Sequence, residues 1–201
     1  MVRKYFSISM RNGVDSCLEA KTFDLKSAYR QIAIHEEHLR CAYFSVYNHE
    51  IGGPEVYQLV TLPFGAVRSV YNFLRLSKML HSVAARSLCL VNTNFYDDFV
   101  LVSKPACALS AGNSMEVLFM LLGWEYARDG KKATSFATVC QALGVEFDFS
   151  RSEQRLLCIQ NTEQRRLDLI QKISQVLSLG CLTKQEALVS RGRLGLSLIH
   201  I

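Results

Sequence analysis

The sequence predicts an α+β fold: an antiparallel sheet with helices packed on one face, close to the split βαβ arrangement. Two observations indicate this class. Short aromatic and β-branched segments alternate along the chain with longer helical patterns, and turn residues separate neighbouring strands at hairpin spacing. The composition is 49% hydrophobic and 20% charged over 201 residues. It is typical of a globular protein and excludes a disordered chain.

The first half of the chain predicts strands that lead into one long helix. Aromatic and β-branched residues favour the strands, and apolar residues at i, i+3 and i+4 favour the helix. The expected elements are a strand at 21–25, helical turns at 27–34, strands at 42–47 and 56–62 around a Gly52-Gly53-Pro54 turn, and a helix at 67–90.

The second half predicts a hairpin, a helix, two strands and a final helical lobe. Proline suits the first turn of a helix and glycine suits the residue after its end, so Pro105 and Gly123 bound the second helix. The other expected elements are a hairpin at 95–103 with its tip at Asp97-Asp98, strands at 124–128 and 142–149, and a helical region at 162–194 broken at Gly180.

Charge, cysteine content and hydropathy limit the class of protein. Lys and Arg number 23 against 18 Asp and Glu, and the net charge of +5 is compatible with an acidic partner such as nucleic acid. The seven cysteines are scattered and form no C-x-x-C pair, so we expect buried free thiols rather than a zinc site or disulfides. The chain has no signal-peptide pattern and no membrane-spanning apolar run. We therefore expect an intracellular protein, cytoplasmic or nuclear, without membrane contact.

Acidic residues occupy two positions where chemistry is plausible. Adjacent carboxylates such as Asp97 and Asp98 repel each other, and a cation allows such a cluster to stay charged at neutral pH. Oxygen ligands favour Mg²⁺ or Mn²⁺ over zinc. The alternative for this pair is a solvent-exposed hairpin turn. Asp24 ends a predicted strand, and its alternative role is to cap the next turn through Ser27.

Three stretches, read in order, carry a family resemblance. They are DLKSAYRQI at 24–32, LPFG at 62–65 and FYDD at 95–98. They resemble polymerase motifs A, B and C of retroelement reverse transcriptases, and are most similar to those of long-terminal-repeat and tyrosine-recombinase (DIRS-like) retrotransposons. The resemblance covers about residues 20–195. It departs from the pattern at Phe95, where tyrosine is usual, and at Val70, where proline is frequent.

The resemblance implies an RNA-directed DNA polymerase that transfers deoxynucleotides (dNTPs) onto a primer 3′-hydroxyl. Residues 1–20 would be a remnant of the fingers lobe or a linker, 21–150 the palm, and 151–201 a partial helical thumb, with the fingers mostly missing. Its partners would be dNTPs and an RNA or DNA template with its primer. The basic residues of the thumb suit duplex phosphates; they are Arg165, Arg166, Lys172, Arg191 and Arg193. The alternative is a mixed surface helix, since acidic residues are interleaved with them at Glu163, Asp168 and Glu186. The sequence makes no prediction about oligomeric state.

The resemblance also implies roles for individual residues at the catalytic centre. Asp24, Asp97 and Asp98 would hold two Mg²⁺ or Mn²⁺ ions about 4 Å apart, one for the attacking hydroxyl and one for the leaving pyrophosphate. Lys132 would act as the general acid that protonates pyrophosphate, with an ordinary solvated lysine as the alternative.

Further positions would bind the substrates. Tyr29 would exclude a 2′-hydroxyl by steric clash, and Phe64 would stack near the new base pair; core packing is the alternative for both. Gly144 would admit the primer backbone, with a β-bulge as the alternative. The implied dNTP site is Ser27, Ala28, Tyr29, Phe64 and Gly65, and the implied primer grip is Leu143 and Gly144.

Two other functions remain open. The first is a catalytically inactive palm remnant that only binds nucleic acid or another partner, with which the net charge of +5 is also compatible. The second is an RNA-dependent RNA polymerase, which the aromatic residue Tyr29 disfavours because those enzymes usually place a polar residue there.

Overall fold

The computed structural model describes residues 4–7, 17–129, 134–181 and 183–199. These ranges contain nine strands and five α-helices, which confirms the α+β class with antiparallel pairing. The strands are β1 (Lys4–Ser7), β2 (Glu19–Asp24), β3 (Tyr43–Asn48), β4 (Gly53–Gln58), β5 (Val91–Phe95), β6 (Asp98–Ser103), β7 (Val139–Ala142), β8 (Val145–Asp148) and β9 (Leu156–Asn161). The helices are α1 (Glu36–Leu39), α2 (Val67–Arg86), α3 (Pro105–Leu121), α4 (Glu163–Leu179) and α5 (Lys184–Ile199).

The strands of the described ranges form three sheets, whereas the sequence predicts one. A four-stranded antiparallel sheet has the order β1-β9-β8-β7, and a three-stranded sheet has the order β2-β6-β5. Strands β3 and β4 pair only with each other, from Tyr43 opposite Gln58 to Asn48 opposite Gly53. Within the described residues, the β3–β4 hairpin is therefore a separate two-stranded sheet.

The chain divides into two compact units that are not continuous in sequence. Unit 1 contains residues 1–22, 100–111 and 134–201, and unit 2 contains residues 23–99 and 112–133. The four-stranded sheet of unit 1 takes strands from all three of the segments that the sequence assigns to different domains. The predicted domain boundaries at residues 20 and 150 stay a prediction.

The core of unit 2 is aromatic. The ring of Phe119 lies 5.7 Å from that of Phe23 and 5.5 Å from that of Phe99, both edge-on, the geometry that aromatic pairs prefer. Helix α2 contributes a buried stripe with a mean spacing close to one helical turn, which orients one face of the helix to the core. Its members are Ser69, Phe73, Ser77, Leu80 and Ala84.

The core of unit 1 is smaller and lies under the four-stranded sheet. Leu18, Val102, Phe147 and Leu157 pack, partly buried, against its fully buried residues. Those residues are Ala20, Val100, Cys140, Ala142 and Phe149.

Both glycine predictions at helix ends are confirmed. Gly123 follows α3 with φ 72°, and the amide of Trp124 reaches back to the carbonyl of Phe119 at 2.8 Å, which closes the helix. Gly180 follows α4 with φ 66°. Pro105 begins α3 as expected.

Several predicted strands are wrong in extent. The segment at 142–149 is two strands, because Leu143 and Gly144 form a turn inside it. The predicted strand at 124–128 is reduced to one bridge between Leu25 and Tyr126. Of the predicted Gly52-Gly53-Pro54 turn, Gly52 lies in the turn with φ 64°, whereas Gly53 and Pro54 begin β4. Strands β1 and β9, which pair with each other across most of the chain, were not predicted.

The described cysteines are free thiols, but their predicted burial is wrong for most of them. Cys140 and Cys158 are buried. Burial, together with the nearby carboxylate of Glu146, raises the pKa of Cys140 to about 11. The other described thiols are partly or fully exposed: Cys17, Cys41, Cys89, Cys107 and Cys181.

Among the described residues, none of the helices combines the length and the hydropathy that crossing a bilayer requires.

Candidate functional site

The end of strand β2 meets the β5–β6 turn within unit 2. The amide of Leu25 donates a hydrogen bond of 3.1 Å to the carbonyl of Asp97. Asp24 is the last residue of β2, and its own carbonyl accepts a 2.9 Å bond from the amide of Ala127. Two acidic residues that lie 73 positions apart in the chain are therefore brought close together by their backbones. Both side chains are partly exposed, so a ligand can reach them.

The β5–β6 turn places its two acidic residues in different elements. Tyr96 and Asp97 form the turn, and Asp98 is the first residue of β6. The predicted tip at Asp97-Asp98 is therefore displaced by one residue, because Tyr96 takes the left-handed conformation with φ 54°. A positive φ is uncommon for a bulky residue and leaves no signal in the sequence.

No group of three or more His, Cys, Asp or Glu side chains in the described ranges is arranged to hold a metal ion. The pair that the backbone contacts bring together is Asp24 with Asp97. The metal-binding role of Asp24, Asp97 and Asp98 stays a prediction.

Tyr29 links all three motif stretches. Its ring stacks on Phe73 at a centroid distance of 4.9 Å and contacts Phe64 at 4.8 Å. The pKa of the Tyr29 hydroxyl is raised, and burial is the largest cause. The nearby ionisable groups of Tyr96 and Asp97 raise it further. The hydroxyl therefore lies within electrostatic reach of Asp97, while the ring contacts two phenylalanines. Tyr29 remains partly exposed, which distinguishes it from an ordinary core residue.

The Phe64-Gly65 turn precedes helix α2. The side chain of Phe64 is 65% exposed, so the alternative of simple core packing is wrong for this residue. Gly65 has φ 87°, and a Cβ placed on it would meet no atom within 4 Å. The glycine is therefore required by the backbone conformation and not by a lack of space. Open space above Gly65 and an exposed aromatic ring beside it leave room for a planar ligand.

The turn after Asp24 is tight. Ser27 has φ 47°, and its carbonyl accepts a 2.7 Å bond from the amide of Arg30, which opens a 3₁₀ turn over Ala28–Gln31. The Ser27 side chain is exposed, whereas Ala28 is buried. Only the backbone of Ala28 is therefore available for the predicted triphosphate contact.

Gln31 is a positioning residue that the sequence did not reveal. Its carboxamide oxygen accepts a 2.7 Å bond from the amide of Glu125, and its nitrogen donates to the carbonyls of Glu125, at 2.8 Å, and Lys26. These bonds tie the turn after Asp24 to a segment 94 residues further along the chain. Because all of its partners are backbone groups, no pattern of residue types could have indicated them.

The predicted primer-grip residues lie in unit 1. Leu143 and Gly144 form the two-residue turn of the β7–β8 hairpin, with φ 56° and 74°. Two successive positive φ values define a type I′ turn, so the β-bulge alternative is wrong. The guanidinium of Arg165 lies 3.5 Å from the carbonyl oxygen of Gly144. Lys132 lies outside the described residues.

No protein-family model and no curated protein matches the chain. The function proposed below therefore depends on the site itself.

Proposed function

We propose that the chain is the palm and part of the thumb of a retroelement reverse transcriptase, an RNA-directed DNA polymerase. The observation that supports this most is the environment of Tyr29. Its ring contacts Phe64 at 4.8 Å, and its hydroxyl is within electrostatic reach of Asp97, so Tyr29 connects residues of three separate sequence stretches. A polymerase needs a metal-binding carboxylate, a sugar-discriminating side chain and a base-stacking surface at one point.

The donor chemistry of this location fits Mg²⁺ or Mn²⁺. Asp24 and Asp97 supply carboxylate oxygens, and their backbones are joined through the 3.1 Å bond between Leu25 and Asp97. Mg²⁺ is usually held by one or two carboxylates together with substrate phosphates, so two such side chains suffice without a third protein ligand. When bound, the metal ions neutralise charge at the attacking 3′-hydroxyl and at the leaving pyrophosphate. Asp98 and Lys132 have the smaller roles of completing the acidic group and protonating pyrophosphate.

The surrounding residues account for nucleotide selection. Tyr29, whose ring packs against Phe64 and Phe73, forms a surface against which the 2′-hydroxyl of a ribonucleotide would clash. The exposed ring of Phe64 offers a face for base stacking, and the open backbone at Gly65 allows close approach of the nucleotide or template. Ser27 and Ala28 supply the backbone turn near the triphosphate.

Primer extension by the 201-residue chain, with Mg²⁺, dNTPs and a labelled RNA template–DNA primer, tests the proposal. We expect Asp97→Asn to reduce the extension rate at least 100-fold, because the amide removes one charge where the transition state is neutralised. Asp129→Asn is the matched control, since Asp129 is an exposed acidic residue of the same unit. Extension that is equal in wild type and Asp97→Asn would contradict the metal-site assignment.

The same experiment separates the alternative function. Measuring template–primer affinity alongside extension distinguishes an enzyme from a binding module. Tight binding without extension by the wild-type chain would favour a catalytically inactive palm remnant. Preference for ribonucleotides would favour an RNA polymerase and contradict the role given to Tyr29.

A further inference from the structure

A polar residue interrupts the buried stripe of helix α2. Ser77 is 0% exposed, and its hydroxyl donates a short hydrogen bond to the carbonyl of Tyr96. The same oxygen accepts a 2.7 Å bond from the side-chain nitrogen of Asn94. A buried hydroxyl is costly unless it is hydrogen-bonded, and here both its donor and its acceptor capacities are used. The hydrogen bonds of Ser77 therefore connect helix α2 to the β5–β6 turn and to the strand before it.

The bond from Ser77 fixes the backbone that carries Asp97. The carbonyl of Tyr96 and the amide of Asp97 belong to one planar peptide group, so a bond that holds the carbonyl also orients the start of Asp97. Tyr96 has φ 54°, a conformation that costs a bulky residue free energy and persists only when its surroundings enforce it. Ser77 supplies part of that enforcement.

The contacts extend to the second acidic residue. Beyond the peptide that Ser77 holds, the Asp97 carbonyl accepts the 3.1 Å bond from Leu25, the residue after Asp24. One turn before Ser77 on the same helix, Phe73 stacks on Tyr29 at 4.9 Å. A single face of α2 thus holds both the β5–β6 turn and the ring of Tyr29.

We propose that Ser77, supported by Asn94, is a positioning residue that sets the location of Asp97 relative to Asp24. It touches neither substrate nor metal in this role and acts through the Tyr96–Asp97 peptide. The effect on metal binding rests on the proposed function, whereas the effect on the backbone does not.

Two measurements on Ser77→Ala test the inference. The first is hydrogen exchange of the Leu25 amide by NMR, which reports the bond to the Asp97 carbonyl without any metal. We expect exchange at least 10-fold faster than in wild type, because the turn loses its anchor. The second is Mn²⁺ affinity by electron paramagnetic resonance, for which we expect a loss of about 10-fold, the usual result of removing a group that orients a metal ligand.

Ser152→Ala is the matched control. Ser152 is also 0% exposed, and its hydroxyl accepts a 2.9 Å bond from a backbone amide, that of Leu18, in unit 1. It should leave Leu25 exchange and Mn²⁺ affinity as in wild type once global stability is taken into account. Should Ser77→Ala fold poorly, Asn94→Ala removes the donor to Ser77 from a partly exposed position and should shift both readouts in the same direction.

The outcomes distinguish this inference from the proposed function. Wild-type Leu25 exchange together with wild-type Mn²⁺ affinity in Ser77→Ala would overturn the positioning role. Faster Leu25 exchange in Ser77→Ala, combined with unchanged Mn²⁺ affinity in Asp97→Asn, would support positioning of the turn and contradict the proposed metal site.

Discussion

The ring of Tyr29 contacts two other aromatic rings, and the restraint that these contacts impose supports the selectivity proposed for the residue. A flexible side chain would move aside for a 2′-hydroxyl, but a ring packed at 4.8 Å from Phe64 and 4.9 Å from Phe73 has little freedom to do so. Discrimination by steric clash depends on such rigidity, because the cost of the clash is otherwise avoided by rotation.

Replacing Tyr29 by a smaller residue should relax sugar selection. We expect Tyr29→Val to lower the ratio of kcat/KM for deoxynucleotides over ribonucleotides about 10-fold or more, since one removed clash is worth roughly 1.4 kcal/mol or more. Single-nucleotide incorporation kinetics measure this ratio. Tyr71→Val is the control, because Tyr71 on the same unit is 66% exposed and should leave the ratio unchanged. An unaltered ratio in Tyr29→Val would exclude a gate at this position.

Cys140 is predicted to make the stability of the protein depend on alkaline pH. Its folded pKa of about 11 exceeds the ordinary value of 9.0. The unfolded thiol therefore ionises first, and stability that is fully present below pH 9 is lost as the pH rises towards 11. The full loss corresponds to roughly 3 kcal/mol.

Urea unfolding at pH 8 and pH 10.5 checks this dependence. Cys140→Ala should show a smaller fall in unfolding free energy between the two pH values than wild type, because it has no thiol to ionise. The difference between the two proteins isolates Cys140 from the tyrosines and lysines that titrate in the same range. An identical fall in both proteins would refute the linkage.

At the level of elements, the β7–β8 turn has one residue that adopts a positive φ easily and one that does not. A type I′ turn requires positive φ at both central positions and favours Asn-Gly, yet this turn has Leu143 followed by Gly144. Leucine at φ 56° is strained, and its side chain is 40% exposed, so it gains little from burial. Strain retained at an exposed position is consistent with a functional role such as the proposed primer grip.

Leu143→Asn should therefore stabilise the fold and weaken the function. We expect the free energy of unfolding to rise by about 1 kcal/mol, since asparagine tolerates the left-handed conformation. We expect template–primer affinity to fall at the same time, because the exposed apolar side chain is lost. Gly144→Ala is the opposing control: at φ 74° and 3.0 Å from the Arg165 guanidinium, an added Cβ should destabilise the turn. A Leu143→Asn protein that is more stable and binds equally well would argue against a primer grip.

For the whole molecule, the sequence predicted the features that local residue patterns determine. It did not predict the strands that depend on pairing between distant segments. The α2 and α3 helices and the ends at Gly123 and Gly180 follow from periodicity and glycine conformation. Strand β9 could not be predicted in the same way, because it is defined by pairing with β1 about 150 residues earlier and with β8. Apolar and polar residues alternate only weakly in β9, so its strand conformation depends on pairing with β1 and β8.

The candidate site also contains residues that the sequence predicted and supporting contacts that it did not. The order of the motifs predicted Asp24, Tyr29, Phe64 and Asp97, and the structure brings these residues into one neighbourhood of unit 2. Asp98 falls on a different element from Asp97 because of the left-handed residue before them. The supporting contacts of Gln31 and Ser77 were not predicted, since Gln31 binds the backbone of Lys26 and Glu125, and Ser77 bonds to the carbonyl of Tyr96. Backbone partners leave no pattern of residue types in the sequence.

The net charge of +5 is too small to show whether the molecule has a nucleic-acid-binding surface, so the proposed binding is tested at single cations. Two adjacent arginines of α4 offer a matched pair. Arg166 is paired with Glu163 through an ion pair at i, i+3, whereas within the described part of the chain the Arg165 side chain hydrogen-bonds only to the carbonyl of Gly144, at 3.5 Å. A guanidinium has five donors, so Arg165 retains the capacity to bind a phosphate next to the β7–β8 turn.

We therefore expect Arg165→Gln to weaken template–primer binding and to reduce the slope of log K against log salt by about 1, the value for one lost phosphate contact. Arg166→Gln should change the slope less, because its charge is already compensated by Glu163. Fluorescence anisotropy of a labelled template–primer between 50 and 200 mM salt, the range over which such contacts are strongly screened, measures both slopes. Equal slopes for wild type and Arg165→Gln would place the duplex elsewhere on the molecule. A larger change for Arg166→Gln would show that its ion pair with Glu163 opens to bind phosphate, and would reverse the roles given to the two arginines.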